Sequence, residues 1–520
     1  MKAWLFSLLL ISSLPLFSQH TNIMISNQNS PEEPSISINP KNPRYIVGGA
    51  NLHAVYRSAD TGRTWTSQVL TSPQGVYGDP AIISDTIGNF YFFHLSDPPG
   101  NAFLDQIVCQ KSIDQGASWN SGASIGLNPA KEQDKQWAIT DTRNNTIYSS
   151  WTEFDVYAST NPADSSHIRF SKSTDGGINW TTPLRLDQRG GDCLDDDNTV
   201  EGAVPAVGPN GEVYVCWAGP LGLVFDKSLD GGNTWMANDK TITSIPGGWD
   251  FDIPGIYRAN GLPITVCDVS NGPRRGTIYV NWSDQRNGAF DTDVWLVKST
   301  DGGNTWSTPV RINNDAPGKQ QFFTWMTIDQ SNGYLYFVFY DRRNYNDNQT
   351  DVFMARSIDG GASFQNFKIS ETPFAPVSSI FFGDYNNLAV YKGIIRPIWT
   401  RLDAGQLSVW TALVDSTLIP GVVTGIDNPD LTVEKVSAYP NPFTNNSFVS
   451  FKLRRPGVVA VDIFDVNGKL VATPIRNKHY PSGKFIERID SHASRIAPGS
   501  YFYRIIINDR LYTQEMVLIE

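Results

Sequence analysis

Short apolar runs recur along the whole chain, each cut off by a turn of Gly, Asp, Asn or Pro. One kind of run, such as Asp293-Val294-Trp295-Leu296-Val297-Lys298, leads into a polar box. A second, such as Thr308-Pro309-Val310-Arg311-Ile312, alternates apolar and polar residues and leaves the box. A third starts at a Gly turn and ends in an aromatic and polar pair, as in Gly211-Glu212-Val213-Tyr214-Val215-Cys216-Trp217, Gly276-Thr277-Ile278-Tyr279-Val280-Asn281-Trp282 and the run from Gly333 to Tyr340. Runs of this length, rich in β-branched and aromatic residues and bounded by turn formers, read as strands. No long stretch carries apolar residues at helical spacing.

The box between the first two kinds of run is one octapeptide, Ser-x-Asp-x-Gly-x-x-Trp. It begins at Ser58, Ser112, Ser173, Ser228 and Ser299, and a sixth copy from Ser357 ends in Phe364. The six serines lie 54, 61, 55, 71 and 58 residues apart, a period that fits one four-stranded propeller blade per repeat. Asp60, Asp114, Asp175, Asp230, Asp301 and Asp359 are placed to accept backbone N–H groups a few residues on, and the Gly two residues later can take a positive φ. The box is therefore expected to be a folded hairpin turn with a structural role, and it resembles the Asp-box of sialidases and related propellers.

With strands A to D in each repeat, the Gly turn joins A to B, a polar loop joins B to C, and the box joins C to D. Successive hairpin turns alternate between the two rims of an antiparallel sheet, so the boxes share one face with the A–B turns. The B–C loops and the connections into each A strand gather on the other, where a site is expected. The expected fold is all-β: a six-bladed β-propeller, with seven blades as the alternative, followed by a small C-terminal β-sandwich. Residues after Ser379 supply the last blade or close the ring with N-terminal residues near Ser35 to Gly49.

Composition narrows the picture. Fifteen Trp, 20 Tyr, 27 Phe and 43 Gly suit strands and tight turns, and a net charge of -11 excludes a nucleic-acid backbone as ligand. Residues 1–18 combine Lys2, an apolar run from Ala3 to Phe17 and the small Ser18, an export signal too short for a comfortable membrane span. No later segment offers a span. The expected division is a signal at 1–18, a propeller at 19–418, a Gly/Pro/Asp/Thr linker at 419–435 and a second module at 436–520. That module carries Tyr439-Pro440-Asn441-Pro442-Phe443, a hairpin turning at Asn467-Gly468, and the strand Ser500-Tyr501-Phe502-Tyr503-Arg504-Ile505. Their order resembles the type A sorting domain of the type IX secretion system. The resemblance implies the type IX machinery as partner and a location outside, or on the outer-membrane surface of, a Bacteroidetes-type bacterium.

The propeller as a whole resembles the sialidase superfamily, which implies an arginine triad, a Tyr nucleophile and acidic groups. Arg286, Arg342, Arg343 and Arg401 at B-strand ends are the candidate substrate-binding residues, since a guanidinium grips a carboxylate bidentately. Tyr385 is the candidate hydroxyl. The chain departs from the family at its start, where Glu32-Glu33-Pro34 stands in place of an Arg-Ile-Pro motif, which argues against sialic acid as the substrate. A carboxylate-only mechanism draws on Asp79, Asp134, Glu201, Asp252 and Asp384, all placed before inner strands, with Asp384, Tyr385, Glu201 and Asp79 the leading catalytic candidates. The expected partner is an extracellular glycan or a surface protein, bound or hydrolysed.

No cofactor is expected. The acids of residues 192–198 offer oxygen ligands of the kind Ca2+ takes, but their spacing is not that of an EF-hand, and a solvated loop is the plainer reading. Of four cysteines, Cys193 and Cys267 lie in loop-like sequence and form the preferred disulfide among three pairings, while Cys216 reads as a buried strand residue and Cys109 has no assigned role. Trp151, Trp217, Trp282 and Trp399 recur at strand ends, as sugar-stacking platforms or, more simply, as packing between repeats.

Overall fold

The computed structural model describes residues 20–100, 103–417, 419, 433–453, 456–465, 469–493, 496–507 and 510–519. The export signal, most of the linker and the Asn467-Gly468 turn lie outside the described residues. Among those described, every regular element is a strand, and no helix is long and apolar enough to cross a membrane. They fall into two compact units, up to Val414 and from Asp415.

The first unit is a propeller. Among the described residues it holds seven blade sheets, so the expected six becomes seven. Their inner strands are Ser35–Ile38, Ala81–Ser84, Glu132–Thr140, Glu201–Val207, Ile264–Cys267, Gln321–Asp329 and Asn387–Tyr391, each next to the following one and the last next to the first. The ring is closed. Blade seven escaped the count because it lacks a box: after Ile394–Asp403 and Gln406–Ala412, its outer strand is the N-terminal Asn22–Ser26, paired Asn22 to Ala412 and Met24 to Trp410. Residues 35–49, expected to help close the ring, instead belong to a complete first blade.

The octapeptides fold alike. In the first, Gly62 N–H donates to Ser58 Oγ (2.8 Å), Thr64 N–H to Asp60 Oδ1 (2.9 Å) and the Thr64 hydroxyl to Asp60 Oδ2 (2.6 Å). The other five repeat the Gly-to-Ser and residue-to-Asp bonds. Such bonds favour the carboxylate, and the backbone N–H of Asn179, first among several donors, holds Asp175 at about 2. Each box also touches the blade before it. At Gly303, φ is +83° and a Cβ would stand 2.4 Å from Phe225 of blade four, so only glycine fits. Trp306 meets the same Phe225 edge-on at 5.1 Å, and Trp235 meets Phe170 of blade three at 4.8 Å. Trp151, Trp217, Trp282 and Trp399 are wholly buried, as interblade packing requires and a sugar platform forbids.

The cysteines are corrected too. All four are buried free thiols. Cys267 lies in the inner strand of blade five and shares an apolar cluster with Cys216, so its side chain faces a packed interior and not a loop.

The second unit is a β-sandwich. Val433–Tyr439, Asn446–Leu453 and Gly483–Asp490 form one antiparallel sheet; Leu470–Tyr480, Gly457–Asp465, Gly499–Ile507 and Arg510–Leu518 form the other. Alternate residues, such as Val459, Val461 and Ile463 opposite Tyr503, Ile505 and Ile507, supply its core.

Candidate functional site

The inner strands start in an unusual way. Glu33, Asp79, Lys135, Gly202, Phe323 and Gly383 all have positive φ, between 48° and 88°. In three of the strands the kink is a bulge, between Asp134 and Trp137, Glu201 and Val204, and Phe322 and Trp325. A bulge redirects side chains, and here it brings polar groups from successive blades to the ring's centre. Left-handed backbone is costly for residues other than glycine, so these positions are held by their surroundings.

What gathers there is a closed charge cluster. Lys135 Nζ lies 2.7 Å from Asp384 Oδ2, 3.5 Å from Asp79 Oδ2 and 3.9 Å from Glu33 Oε1, and all four side chains are buried. From above, Arg258 Nε donates to Asp384 Oδ1 (2.8 Å), one terminal nitrogen donates to Asp384 Oδ2, and the other reaches Asp195 Oδ2 (2.8 Å). Tyr157 OH donates to the same Asp195 oxygen (2.6 Å), Asn260 Nδ2 to Asp384 O (2.9 Å) and Asp384 N–H to Glu33 Oε1 (3.0 Å).

The acids divide into two sets. Burial opposes the charge of Asp384, but Lys135 and then Arg258 outweigh it and hold the carboxyl well below its usual range. Asp79 is also lowered, burial again being outweighed by Lys135. Burial pushes Asp134 up to about 8, and lifts Glu33 and Glu201 well above the normal range, helped by the neighbouring anions Asp79 and Asp195 respectively. Burial raises the Tyr385 hydroxyl as well, which keeps it protonated. Below the cluster Tyr385 meets Trp137 edge-on at 5.0 Å, and Trp137 meets Trp325 at 4.4 Å. The cavity lined by these rings with Lys135, Thr324 and Asp384 measures about 20 Å³, about one water molecule.

Asp79, Asp134, Glu201 and Asp384 thus meet where their positions before the inner strands put them, with Tyr385 beneath. Asp252 does not join them. Residues 250–260 form a separate hairpin, Asp250–Phe251 against Ala259–Asn260, and the inner strand of blade five begins only at Ile264. The returning arm carries Arg258 and Asn260 inward. The outgoing arm and tip, with Gln285, Phe290 and Ser378, line an open groove of about 560 Å³. Arg258 is the residue that sequence reasoning missed. The longest interval between boxes, 71 residues from Ser228 to Ser299, was the available sign of an insertion there.

The four candidate arginines stay apart. Arg286 forks onto Asp284 (2.9 and 2.6 Å) over the Trp295 ring. Arg343 pairs with Asp341 (2.7 Å) over Phe353, and Arg401 with Asp403 (3.0 Å) between Phe374 and Trp410. Arg342 is buried and clasps the hairpin tip, donating to Pro254 O (2.7 Å). An Asp two residues from each of Arg286, Arg343 and Arg401 in the same strand or turn makes a local pair, which explains why no triad assembles. In the acidic loop 192–198, Asp192, Asp195, Asp196 and Asp197 accept hydrogen bonds from Thr199, Arg258, Asn198 and Asp250 respectively. No group of three or more His, Cys, Asp or Glu among the described residues is arranged to hold a metal ion.

Fold and site define a seven-bladed propeller with a plugged centre and an open groove on its loop face, joined to a β-sandwich. Residues 437–520 of that sandwich match the family described as the secretion system C-terminal sorting domain, so the chain is exported by the type IX route of Bacteroidetes-type bacteria to the surface or beyond. No curated protein matches the chain. Similar solved structures include a Hadza microbial sialidase (13% identity, 71% of this chain and 73% of that one, TM-score 0.43). An α-L-arabinanase of Penicillium chrysogenum is similar at 17% identity over 62% of this chain and 93% of its own, TM-score 0.39. YCF48 bound to a D1 peptide is similar at 11% identity over 79% and 98%, TM-score 0.40.

Proposed function

We propose that the chain is an exported recognition propeller that binds an extracellular glycan in the groove of its loop face. One contrast carries this reading: the acids at the ring's centre are neutralised by Lys135 and Arg258 around a cavity of about 20 Å³, while the groove beside them offers about 560 Å³. The first is too small for a sugar ring; the second is of ligand size. Phe290, exposed on the rim, suits the C–H face of a sugar, and the buried Phe251, Ile253 and Ile256 present only their edges to the groove behind it. On this reading the octapeptides are Asp-boxes with a purely structural task, and the chain divides into propeller 19–418, linker 419–435 and sorting module 436–520.

Affinity electrophoresis through a panel of polysaccharides tests the binding. At least one polymer is expected to retard the wild type and the Glu201→Gln variant alike, and to release Phe290→Ala. Retardation lost in Glu201→Gln but kept in Phe290→Ala refutes the groove.

A second reading, glycoside hydrolysis, draws on one observation. Protonated Asp134 and Glu201 stand beside ionised Asp79 and Asp384, a split that general acid and base work requires. It needs Arg258 to leave the mouth. Turnover of any chromogenic glycoside that Asp384→Asn or Glu201→Gln abolishes, in a variant still folded, would establish it.

A further inference from the structure

The groove is not charge-neutral. Asp250 and Asp252 are the charged residues among those lining it, and both are acidic and exposed. Neither carboxylate has a hydrogen-bond or ion-pair partner among the described residues, in contrast to the acids of loop 192–198 next to it. Asp197 approaches from that loop, where its Oδ1 accepts the Asp250 N–H at 2.8 Å. Burial, and after it the anions Asp197, Asp195 and Asp196 of that loop, push Asp250 up to about 6 against the pull of Arg258. Neither cation of the hairpin region pairs with them: Arg258 is bonded to Asp384 and Asp195, although its charge still draws the Asp250 carboxyl down, and Arg342 donates to Pro254 O. A ligand that settles against Phe251 and Phe290 therefore meets two carboxylates that no ion pair neutralises.

A neutral sugar offers these carboxylates hydroxyl hydrogen bonds but no opposite charge, and an anionic one is repelled by them. An ammonium group pairs with them, while the sugar ring that carries it covers Phe290. Resting on the glycan reading above, we propose that the groove selects a cationic amino-glycan, a polymer of hexosamine units with free amines, held by Asp250 and Asp252 and stacked against Phe290.

Calorimetric titration of the full chain with two hexamers, β-1,4-linked glucosamine and its fully N-acetylated counterpart, isolates the charge. The free amine form is expected to bind about tenfold more tightly, from two exposed ion pairs. That margin is expected to shrink in high salt and to vanish in Asp250→Asn/Asp252→Asn, whose unfolding midpoint, checked in parallel, does not fall, because neither carboxylate is partnered and loss of the Asp250 charge relieves its repulsion with loop 192–198. Equal binding of the two hexamers overturns this inference and leaves the glycan reading standing. Binding of neither overturns it too, and the glycan reading falls with it only if no polysaccharide in the panel retards the chain. Tight binding of oligolysine with none of the glucosamine hexamer also overturns it and reassigns the groove to basic peptides.

Discussion

Lys135 is the residue on which the ring's centre depends. Its ammonium is the buried counter-ion of Asp384 and Asp79, with Glu33 a little further off. Lys135→Met leaves buried Asp79 without its counter-ion and Asp384 with Arg258 alone, and loss of about 3–5 kcal/mol of stability is expected in chemical denaturation at neutral pH. The acids also set a pH dependence. The folded-state value of Asp134, about 8, lies above its unfolded value near 4, so the folded chain keeps a proton that the unfolded chain gives up. Stability from this group is complete below about pH 4 and declines as the pH climbs to about 8. Asp384 and Asp79 act in the opposite sense, losing their contribution as the pH falls below about 4. Thermal stability is thus expected to peak in mild acid, and Asp134→Asn to flatten the decline between about pH 4 and 8. The approach of these acids was legible in the sequence, since each precedes an inner strand. Their neutralisation was not, because Arg258 comes from a hairpin with no counterpart in the other repeats, and the kinks that aim Lys135 inward leave no mark in the residue pattern.

At the scale of the element, the octapeptide does two jobs. Its Ser and Asp close the turn on itself, and its Gly and Trp lock it to the blade before. The sequence displayed the first job fully. The second needed coordinates, although a clue stood in plain view: Arg57, Lys111, Lys172, Lys227, Lys298 and Arg356 each precede a box serine. Four of them reach the next box: Arg57 donates to Gln115 O (3.0 Å), and Lys172, Lys227 and Lys298 donate to Gly231, Gly302 and Gly360 O (2.7 Å each). Lys227→Met is expected to cost about 1–2 kcal/mol, since it removes two charge-assisted bonds, to Gly302 O and Asn304 Oδ1, at a half-exposed site. Gly303→Ala, strained at φ +83° and driven into Phe225, is expected to cost at least about 1 kcal/mol by the same denaturation assay. Stability equal to wild type in both would remove the interblade role of the boxes.

For the whole molecule, closure of the ring is the organising fact. Blade seven is finished by Asn22–Ser26, the strand that periodicity overlooked because it follows no box and stands nearly four hundred residues from its partner Gln406–Ala412. Removal of residues 20–27 exposes the edge of Gln406–Ala412, and light scattering is expected to report aggregation at temperatures where the intact chain stays dispersed. Closure also underlies the proposed function, since five of the seven inner strands bring acids into a central cluster and leave the insertion after blade four as the open surface. Amide hydrogen exchange with and without the most strongly retained polysaccharide tests that division directly. Ligand-induced protection is expected at residues 247–256 and 285–290, with residues 200–204 and 383–387 unchanged. Protection centred on residues 200–204 and 383–387, with the groove unaffected, would contradict it.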